Sequence, residues 1–173
     1  MRLSVLISAL ALVATLPGTA LAQTRAQTPA PATASTSGVS VAEAQTWLRS
    51  LGGTVGEPIL REGVTSLHVA DQPLPWNLTF YACGPSLCDD VQYSAIFTGP
   101  ITADQINGWN TGQRFLKAFF VPATDGGDAT AVVQYDVILT HTGTGQLQEP
   151  TVIWLQMLRT FAESLVAEGL AAN

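Results

Sequence analysis

Two stretches, NLTFYAC at residues 77–83 and VQYSAIFT at residues 91–98, decide the fold of this chain. Both are short and rich in aromatic and β-branched residues, and apolar and polar residues partly alternate along them, which is typical of β-strands. GPS at residues 84–86 is a turn sequence. The two stretches therefore predict a pair of strands joined by a turn, and Pro100 ends the second strand.

Helices are predicted in the sequence on both sides of this strand pair. SVAE at residues 40–43 and TADQ at residues 102–105 are capping boxes, in which a hydroxyl and a Glu or Gln side chain each satisfy a free backbone N–H at a helix start. Pro150 suits the first turn of a third helix, whose apolar residues form a broad stripe up to Val166. In chain order the predicted elements are a helix at 41–51, strand-like stretches at 57–61 and 64–70, strands at 77–83 and 91–98, a helix at 102–112, strands at 115–121 and 130–140, and a helix from residue 149.

The order of these elements favours an antiparallel sheet. The strands at 115–121 and 130–140 are joined across DGGD at residues 125–128, whose Gly-Gly centre is typical of a β-hairpin. DGGD also suggests calcium, but two carboxylates do not make a shell of about six to eight oxygens. The whole order predicts an α+β domain, with three helices packed on a twisted antiparallel sheet of about five strands.

The first 22 residues have the three-part layout of a secretory signal peptide. A short basic start at Arg2 is followed by an uncharged apolar run at residues 3–16, and ALA at residues 20–22 has the small-x-small form that signal peptidase reads. Cleavage is therefore predicted between Ala22 and Gln23. An uncleaved anchor is the alternative, although the run is shorter than the roughly 20 residues that cross a bilayer.

The residues after the predicted leader divide into a linker and a domain. Residues 23–38 (QTRAQTPAPATASTSG) contain no large apolar residue and predict a disordered Ala/Thr/Pro/Ser linker. Residues 39–173 then form a single α+β domain. We expect the mature protein to be periplasmic or secreted, with no membrane attachment after cleavage.

The charge of the chain excludes two classes of partner. It has 7 Lys and Arg against 13 Asp and Glu, a net charge of −6, which becomes −7 when Arg2 leaves with the leader. Binding to nucleic acid requires clustered Lys and Arg that displace counterions from phosphates. An anionic membrane surface attracts the same clusters. We therefore expect neither nucleic acid nor a membrane surface as a partner.

Cys83 and Cys88 are the two cysteines of the chain. In an oxidising compartment, two thiols at a strand connection should form a disulfide, which would stabilise the fold by roughly 2 kcal/mol. A redox-active dithiol is the alternative, but catalytic pairs usually have two residues between them and lie at a helix N-terminus. Two thiols without a nearby histidine do not make a metal site.

The sequence contains no recognisable catalytic or cofactor motif. His68 and His141 are far apart in the chain and form neither an HxH nor an HExxH motif. No GxSxG is present to mark a serine nucleophile. TGTG at residues 142–145 lacks the Lys-Ser/Thr and the helix of a phosphate loop, and is predicted to be a linker. We therefore expect no enzymatic activity, no metal and no cofactor.

Three segments of the chain share a pattern with a known family. The first is LTFYAC at 78–83 with Cys88 and the strand at 91–97, the second is INGWN at 106–110 leading into RFLKAFF at 114–120, and the third is the strand at 131–140 with the final helix. Together they resemble the YbjN-like family of bacterial proteins, which are proposed sensory transduction regulators. The second segment is similar to the family's helix–strand junction of form W-N-x-x-x-R-F. The resemblance covers residues 39–168.

This resemblance implies a fold like that of the type III secretion chaperones, often dimeric, with a regulatory or partner-binding role and no enzymatic activity. Its candidate family motif or partner contact consists of Trp109, Asn110, Arg114 and Phe115. By their chemistry, Trp109 and Phe115 should be core anchors, and Asn110 should cap the helix or bond the next strand. Arg114 is either a solvated residue at the strand start or a conformational or partner contact.

Two main functional hypotheses stay open, and a purely structural envelope protein is a third, minor option. In the first, the chain is an exported module that binds an unknown protein partner or senses a condition in the periplasm, through a sheet face, an edge strand or an apolar helix face. A homodimer is compatible with this hypothesis. In the second, a small-molecule-binding or hydrolytic periplasmic protein assembles a site from Tyr81, Tyr93, His68 and Arg114, which a deep pocket holding two or more of them would favour.

Overall fold

Three helices and six strands follow one another in the computed structural model, which describes residues 37–70, 74–124 and 126–171, with side chains up to residue 167. The predicted signal peptide, the Ala22–Gln23 cleavage site and the linker up to residue 36 lie outside the described residues. The elements are α1 (Val41–Ser50), β1 (Ile59–Arg61), β2 (Val64–Val69), β3 (Trp76–Cys83), β4 (Cys88–Gly99), α2 (Ala103–Gly112), β5 (Lys117–Val121), β6 (Ala129–Ile138) and α3 (Gln148–Ala171).

The six strands form one antiparallel sheet in the order β1-β2-β3-β4-β6-β5. The first four strands are joined as consecutive hairpins, and β6 then lies between β4 and β5. The predicted α+β class, the three helices and the hairpin between β5 and β6 are confirmed. The predicted number of about five strands is one too low.

The short strand β1 exists because of a two-residue turn. Glu62 and Gly63 both adopt positive φ, 51° and 81°, which matches the twist of a tight hairpin. Arg61 can therefore pair directly with Val64. All three β1 side chains are exposed, so this strand, observed at Ile59–Arg61 within the strand-like stretch predicted at 57–61, buries little surface.

Both predicted capping boxes are confirmed. The Ser40 hydroxyl accepts a hydrogen bond from the Glu43 N–H (3.2 Å), and the Glu43 carboxylate accepts one from the Ser40 N–H (3.1 Å). The Glu43 carboxylate also accepts a hydrogen bond from the Ser40 hydroxyl (2.8 Å). This bond, together with the bond from the Ser40 N–H, lowers the pKa of Glu43 below its ordinary value. Thr102 and Gln105 make the same pair of contacts at the start of α2.

The end of the segment predicted as a linker folds into a 3₁₀ helix, Thr144–Leu147, which leads directly into α3. Leu147 is fully buried in the core, and this is the physical reason that the segment is ordered. The Gln146 amide contacts the backbone carbonyls of Gly38, His141 and Gly143. The 3₁₀ helix therefore connects the start of the described chain to α3.

The helices pack on one face of the sheet, which we call the covered face. Its centre is aromatic: the rings of Trp76 and Tyr93 stack with centroids 5.5 Å apart, and Trp154 of α3 lies 5.7 Å from Tyr93. The Tyr93 hydroxyl and the buried Thr151 hydroxyl are hydrogen-bonded at 2.7 Å. Burial raises the pKa of Tyr93 well above its ordinary value, although the bond to Thr151 acts in the opposite direction.

Cys83 and Cys88 form a disulfide that closes the hairpin between β3 and β4, as predicted. Beside it, Cys88 and Val39 exchange two backbone hydrogen bonds of 3.0 and 3.1 Å. Gly38, predicted as the last linker residue, donates its N–H to the His141 carbonyl at 2.7 Å. A Cβ at Gly38 would lie 2.3 Å from the Cys88 carbonyl oxygen, and φ is 108°, so only glycine fits here. The chain thus enters the domain beside the disulfide.

Candidate functional site

The second face of the sheet, which we call the open face, consists of the alternate strand side chains that point away from the helices. None of these side chains is buried. Because a solvated face of an antiparallel sheet normally carries polar residues, the apolar ones on this face require an explanation. The open face contains Ile59, Arg61, Val64, Ser66, His68, Asn77, Thr79, Tyr81, Asp90, Gln92, Ser94, Ile96, Thr98, Lys117, Phe119, Val121, Thr130, Val132, Gln134, Asp136 and Ile138.

An apolar row crosses one end of the open face. Ile96, Val132 and Phe119 lie opposite one another on β4, β6 and β5. Ile96 is 64% exposed and Phe119 is 55% exposed, and Val121 follows Phe119 on the same face of β5. A contiguous group of exposed apolar side chains of this kind marks contact surfaces in soluble proteins.

Hydrogen-bonded polar side chains occupy the middle of the open face. The Gln92 amide donates to the Asp136 carboxylate at 2.7 Å, and the Gln134 amide donates to the Gln92 side-chain oxygen at 3.0 Å. Farther along the sheet, the His68 ring nitrogen Nδ1 lies 3.0 Å from the Asn77 side-chain oxygen. An apolar group beside polar side chains with defined orientations resembles the core and rim of a protein–protein interface.

The four residues of the small-molecule hypothesis are not brought together. Tyr93 is buried on the covered face, whereas His68 and Tyr81 lie on the open face. His68 is opposite Asn77, four residues along β3 from Tyr81. Arg114 follows α2 and lies beside β5, an edge strand of the sheet. These side chains therefore do not form one site.

Within its described residues, the chain shows neither a cluster of metal-ligating side chains nor a membrane-spanning helix. Over residues 37–70, 74–124 and 126–171, no three His, Cys, Asp or Glu side chains are grouped closely enough to hold a metal ion. Over the same ranges, none of the helices combines the length and the apolar character needed to span a membrane. The expectation of a chain without metal or cofactor stays a prediction.

Trp109 and Asn110 of the candidate motif attach α2 to the edge strand β5. Trp109 is 8% exposed, as predicted for a core anchor, and its indole N–H donates to the Leu116 carbonyl at 3.0 Å. The Asn110 amide donates to the Ala118 carbonyl at 2.8 Å and accepts from the Ala118 N–H at 2.9 Å. Of the two roles considered for Asn110, the structure has the bond to the next strand.

Phe115 is 43% exposed, so the prediction that it anchors the core is wrong. The reason is that β5 begins at Lys117, and the chain bends at Arg114 and Phe115 before it enters the sheet. The fully buried position is the neighbouring Leu116. The Phe115 ring packs edge-on against Tyr135 at 6.1 Å, and the Arg114 guanidinium lies 5.3 Å from the centre of the Phe115 ring.

Sequence reasoning did not locate the apolar row, because apolar residues are consecutive in parts of β4 and β5. Ala95, Ile96 and Phe97 are consecutive in β4, and Ala118, Phe119 and Phe120 are consecutive in β5. Where apolar residues are consecutive, alternation does not tell which side is buried. Only the register between β4, β6 and β5 reveals that Ile96 and Phe119 share the exposed side.

Comparison with known proteins bears on the fold of this chain. No protein-family model matches the sequence, and no curated protein matches it. Among solved structures, the chain is similar to the crystal structure of YbjN, a proposed transcription regulator from E. coli, with a TM-score of 0.54 and 14% sequence identity, over 73% of this chain and 90% of that chain. At this identity the similarity establishes the fold alone. As the sequence resemblance implied, the chain has a YbjN-like fold.

Proposed function

We propose that the chain is an exported, non-enzymatic bacterial protein that binds another protein, as a regulatory or chaperone-like module of the periplasm. The observation that carries this proposal is the open face, where exposed Ile96 and Phe119 lie on either side of half-buried Val132, beside a hydrogen-bonded polar region. The neighbour YbjN is described as a proposed transcription regulator, which supports a regulatory role. The acidic charge of this chain gives no basis for contact with DNA.

The energetics of the open face favour a protein partner. Complete burial of one large apolar side chain is worth about 1.5–3 kcal/mol. Ile96 and Phe119, together with their apolar neighbours, therefore offer several kcal/mol to a partner that covers them all at once. A flat row on a sheet is covered best by another extended surface, because a small molecule is held in a concave pocket.

Export is supported by the signal-peptide pattern and by the Cys83–Cys88 disulfide, since disulfides persist in oxidising compartments. The test is fractionation of cells that express the full chain. We expect a periplasmic product that begins at Gln23 and in which denaturation without reductant reveals no free thiol. A full-length cytoplasmic product with both thiols free would contradict export.

The protein-binding proposal is tested by comparative capture from periplasmic extract with the mature protein as bait. The test variant carries Ile96→Ser and Phe119→Ser, and the control carries Val152→Ser, which removes an apolar side chain that is 60% exposed on α3. We expect a partner, identified by mass spectrometry, that the wild type and the control retain and the open-face variant loses. Equal capture by all three proteins would contradict a role for the open face.

One cavity favours the alternative of a small-molecule-binding protein. It has a volume of about 390 Å³ between the end of β4, α2 and α3, within the range of ligand pockets. Its walls are largely apolar, and Leu74, Phe97, Ile101 and Leu165 are among them. If the protein binds an apolar ligand there, Leu165→Trp should abolish binding of a hydrophobic fluorescent dye to the native protein and leave partner capture intact.

A further inference from the structure

One edge of the sheet changes character along its length. β6 (Ala129–Ile138) pairs with β5 only from Thr130 to Gln134. Past the start of β5, residues 135–138 continue as a strand that is paired with β4 on one side only. On the other side, among the residues that the structure describes, no backbone hydrogen bond joins them to another segment.

The pairing pattern identifies the backbone groups that face this open edge. Both the N–H and the C=O of Ala118 bond to Asn110, so they point away from β6. Backbone groups alternate in direction along an antiparallel strand, so the N–H and C=O of Lys117 and of Phe119 point toward β6. On β6 the same alternation turns the N–H and C=O of Asp136 and Ile138 toward the open edge.

A bond on the opposite side of β6 agrees with this assignment. The Leu139 N–H, one residue after Ile138, donates to the Asp89 carbonyl of β4 at 2.6 Å. Because the backbone groups of neighbouring residues in a strand point to opposite sides, the N–H and C=O of Ile138 must point away from β4. The open edge of β6 therefore presents two residues that are ready to pair with an added strand.

The contrast with β5 indicates that this opening is a specific feature. Along β5 the Asn110 amide occupies the place of a partner strand, and the Trp109 indole satisfies the Leu116 carbonyl. Proteins commonly block exposed edges in this way to prevent unwanted pairing. At residues 136–138 no side chain among the described residues makes an equivalent contact with the backbone.

A groove beside the open edge has a net positive charge, from Arg114 and Lys117 against Asp136. The Lys117 ammonium contacts the Asn110 and Gln113 carbonyls, and the Asp136 carboxylate accepts the Gln92 amide. In the described part of the chain, Arg114 makes no ion pair, and its guanidinium lies 5.3 Å from the centre of the Phe115 ring. The groove has a volume of about 430 Å³ and is lined by Arg114, Phe115, Lys117, Phe119, Gln134, Tyr135 and Asp136.

We propose that this edge binds an extended segment of the partner protein, which adds to residues 136–138 as a short strand and places an acidic side chain against Arg114. This inference rests on the proposed protein-binding function and names the form of the bound segment. Pairing with Asp136 and Ile138 would make about four backbone hydrogen bonds, since each such pair exchanges two. The acidic side chain follows from the unpaired guanidinium, whose fork of N–H donors matches a carboxylate.

The test uses a phage-displayed library of linear nine-residue peptides, selected on the mature protein, and one synthetic peptide from that selection. We expect the selected peptides to alternate apolar residues around an Asp or Glu. Ile138→Pro removes an N–H that faces outward and leaves the pairing with β4 intact, and should weaken binding at least tenfold. Arg114→Glu should do the same, and replacement of the peptide's acidic residue by Lys should restore binding to that variant.

A second measurement needs no variant of β6. In the wild-type protein the bound peptide should protect the Asp136 and Ile138 amides from hydrogen exchange, and Val152→Ser, on the exposed side of α3, should leave its affinity unchanged. A selection that enriches no peptide, or binding that is indifferent to Ile138→Pro and Arg114→Glu, would overturn the proposal. If capture of the partner still depended on Ile96 and Phe119, the protein-binding function would stand without strand addition.

Discussion

The two faces of the sheet are built from the same strands and differ in what their side chains do. Along β4, Val91, Tyr93 and Ala95 are buried under the helices, whereas Ile96, the next residue, is 64% exposed. On the covered face Trp154 packs on Tyr93, and on the open face the side chains meet solvent. The side of the sheet to which a side chain points therefore predicts the effect of replacing it. Substitutions on the covered face should change the stability of the fold, and those on the open face should change partner binding.

The largest effect is expected at the centre of the covered face. Trp154→Ala removes a fully buried indole that contacts both Trp76 and Tyr93, and should lower the free energy of unfolding by about 3–5 kcal/mol. Urea denaturation followed by far-UV circular dichroism measures this loss. Val152→Ala, on the exposed side of the same helix, is the control and should change stability by less than about 0.5 kcal/mol. Similar losses in both variants would break the comparison.

A smaller effect is expected at the edge of the sheet. Asn110→Leu leaves the N–H and C=O of Ala118 without their partner, which should cost about 2 kcal/mol at roughly 1 kcal/mol for each bond. The unblocked β5 edge should also promote self-association, which size-exclusion chromatography with light scattering detects. Asn107→Ala, at an exposed position of the same helix, is the control. Wild-type stability in Asn110→Leu would show that the edge needs no such block.

The buried phenol of Tyr93 should make the stability of the protein depend on pH. Tyr93→Phe should cost about 1 kcal/mol at pH 7, since the buried Thr151 hydroxyl loses its partner. Because burial raises the pKa of Tyr93, the folded protein keeps the phenolic proton at a pH where the unfolded chain releases it, above about pH 10. Wild-type stability should therefore fall above pH 10 more steeply than that of Tyr93→Phe. Parallel curves from urea titrations at pH 7 to 11 would contradict this account.

The smallest effect on stability is expected on the open face. Ile96→Ser with Phe119→Ser should alter the free energy of unfolding by less than about 0.5 kcal/mol per site, because both side chains are already largely exposed. Partner capture should nevertheless be lost. Urea denaturation of the variant beside wild type measures the first quantity. A loss of several kcal/mol would mean that the open face contributes to folding.

Local signals in the sequence predicted much of the fold. The two capping boxes mark the starts of α1 and α2 because they are satisfied within four residues, and the disulfide follows from two cysteines at a hairpin. Features that depend on distant parts of the chain were missed. The insertion of β6 between β4 and β5 creates the apolar row, and no local pattern encodes that register.

The candidate motif illustrates the same limit within a few residues. Trp109 was placed correctly because a large aromatic residue on an amphipathic helix is normally buried, and its neighbour Asn110 finds Ala118 only through the turn into β5. Phe115 was misplaced because a bend of two residues moves the start of β5 to Lys117, and burial passes to Leu116. A bend of this length leaves no periodic signal.

The most direct test of the central claim is site-specific photo-crosslinking in living cells. A photoreactive phenylalanine analogue replaces Phe119 on the open face, Val152 on the exposed side of α3, or Phe115 beside the open edge. The account predicts that positions 119 and 115 each give a crosslinked product with the same partner protein. It predicts no crosslinked product from position 152. Crosslinking from position 152 with none from position 119 would contradict the claim that the open face of the sheet binds the partner.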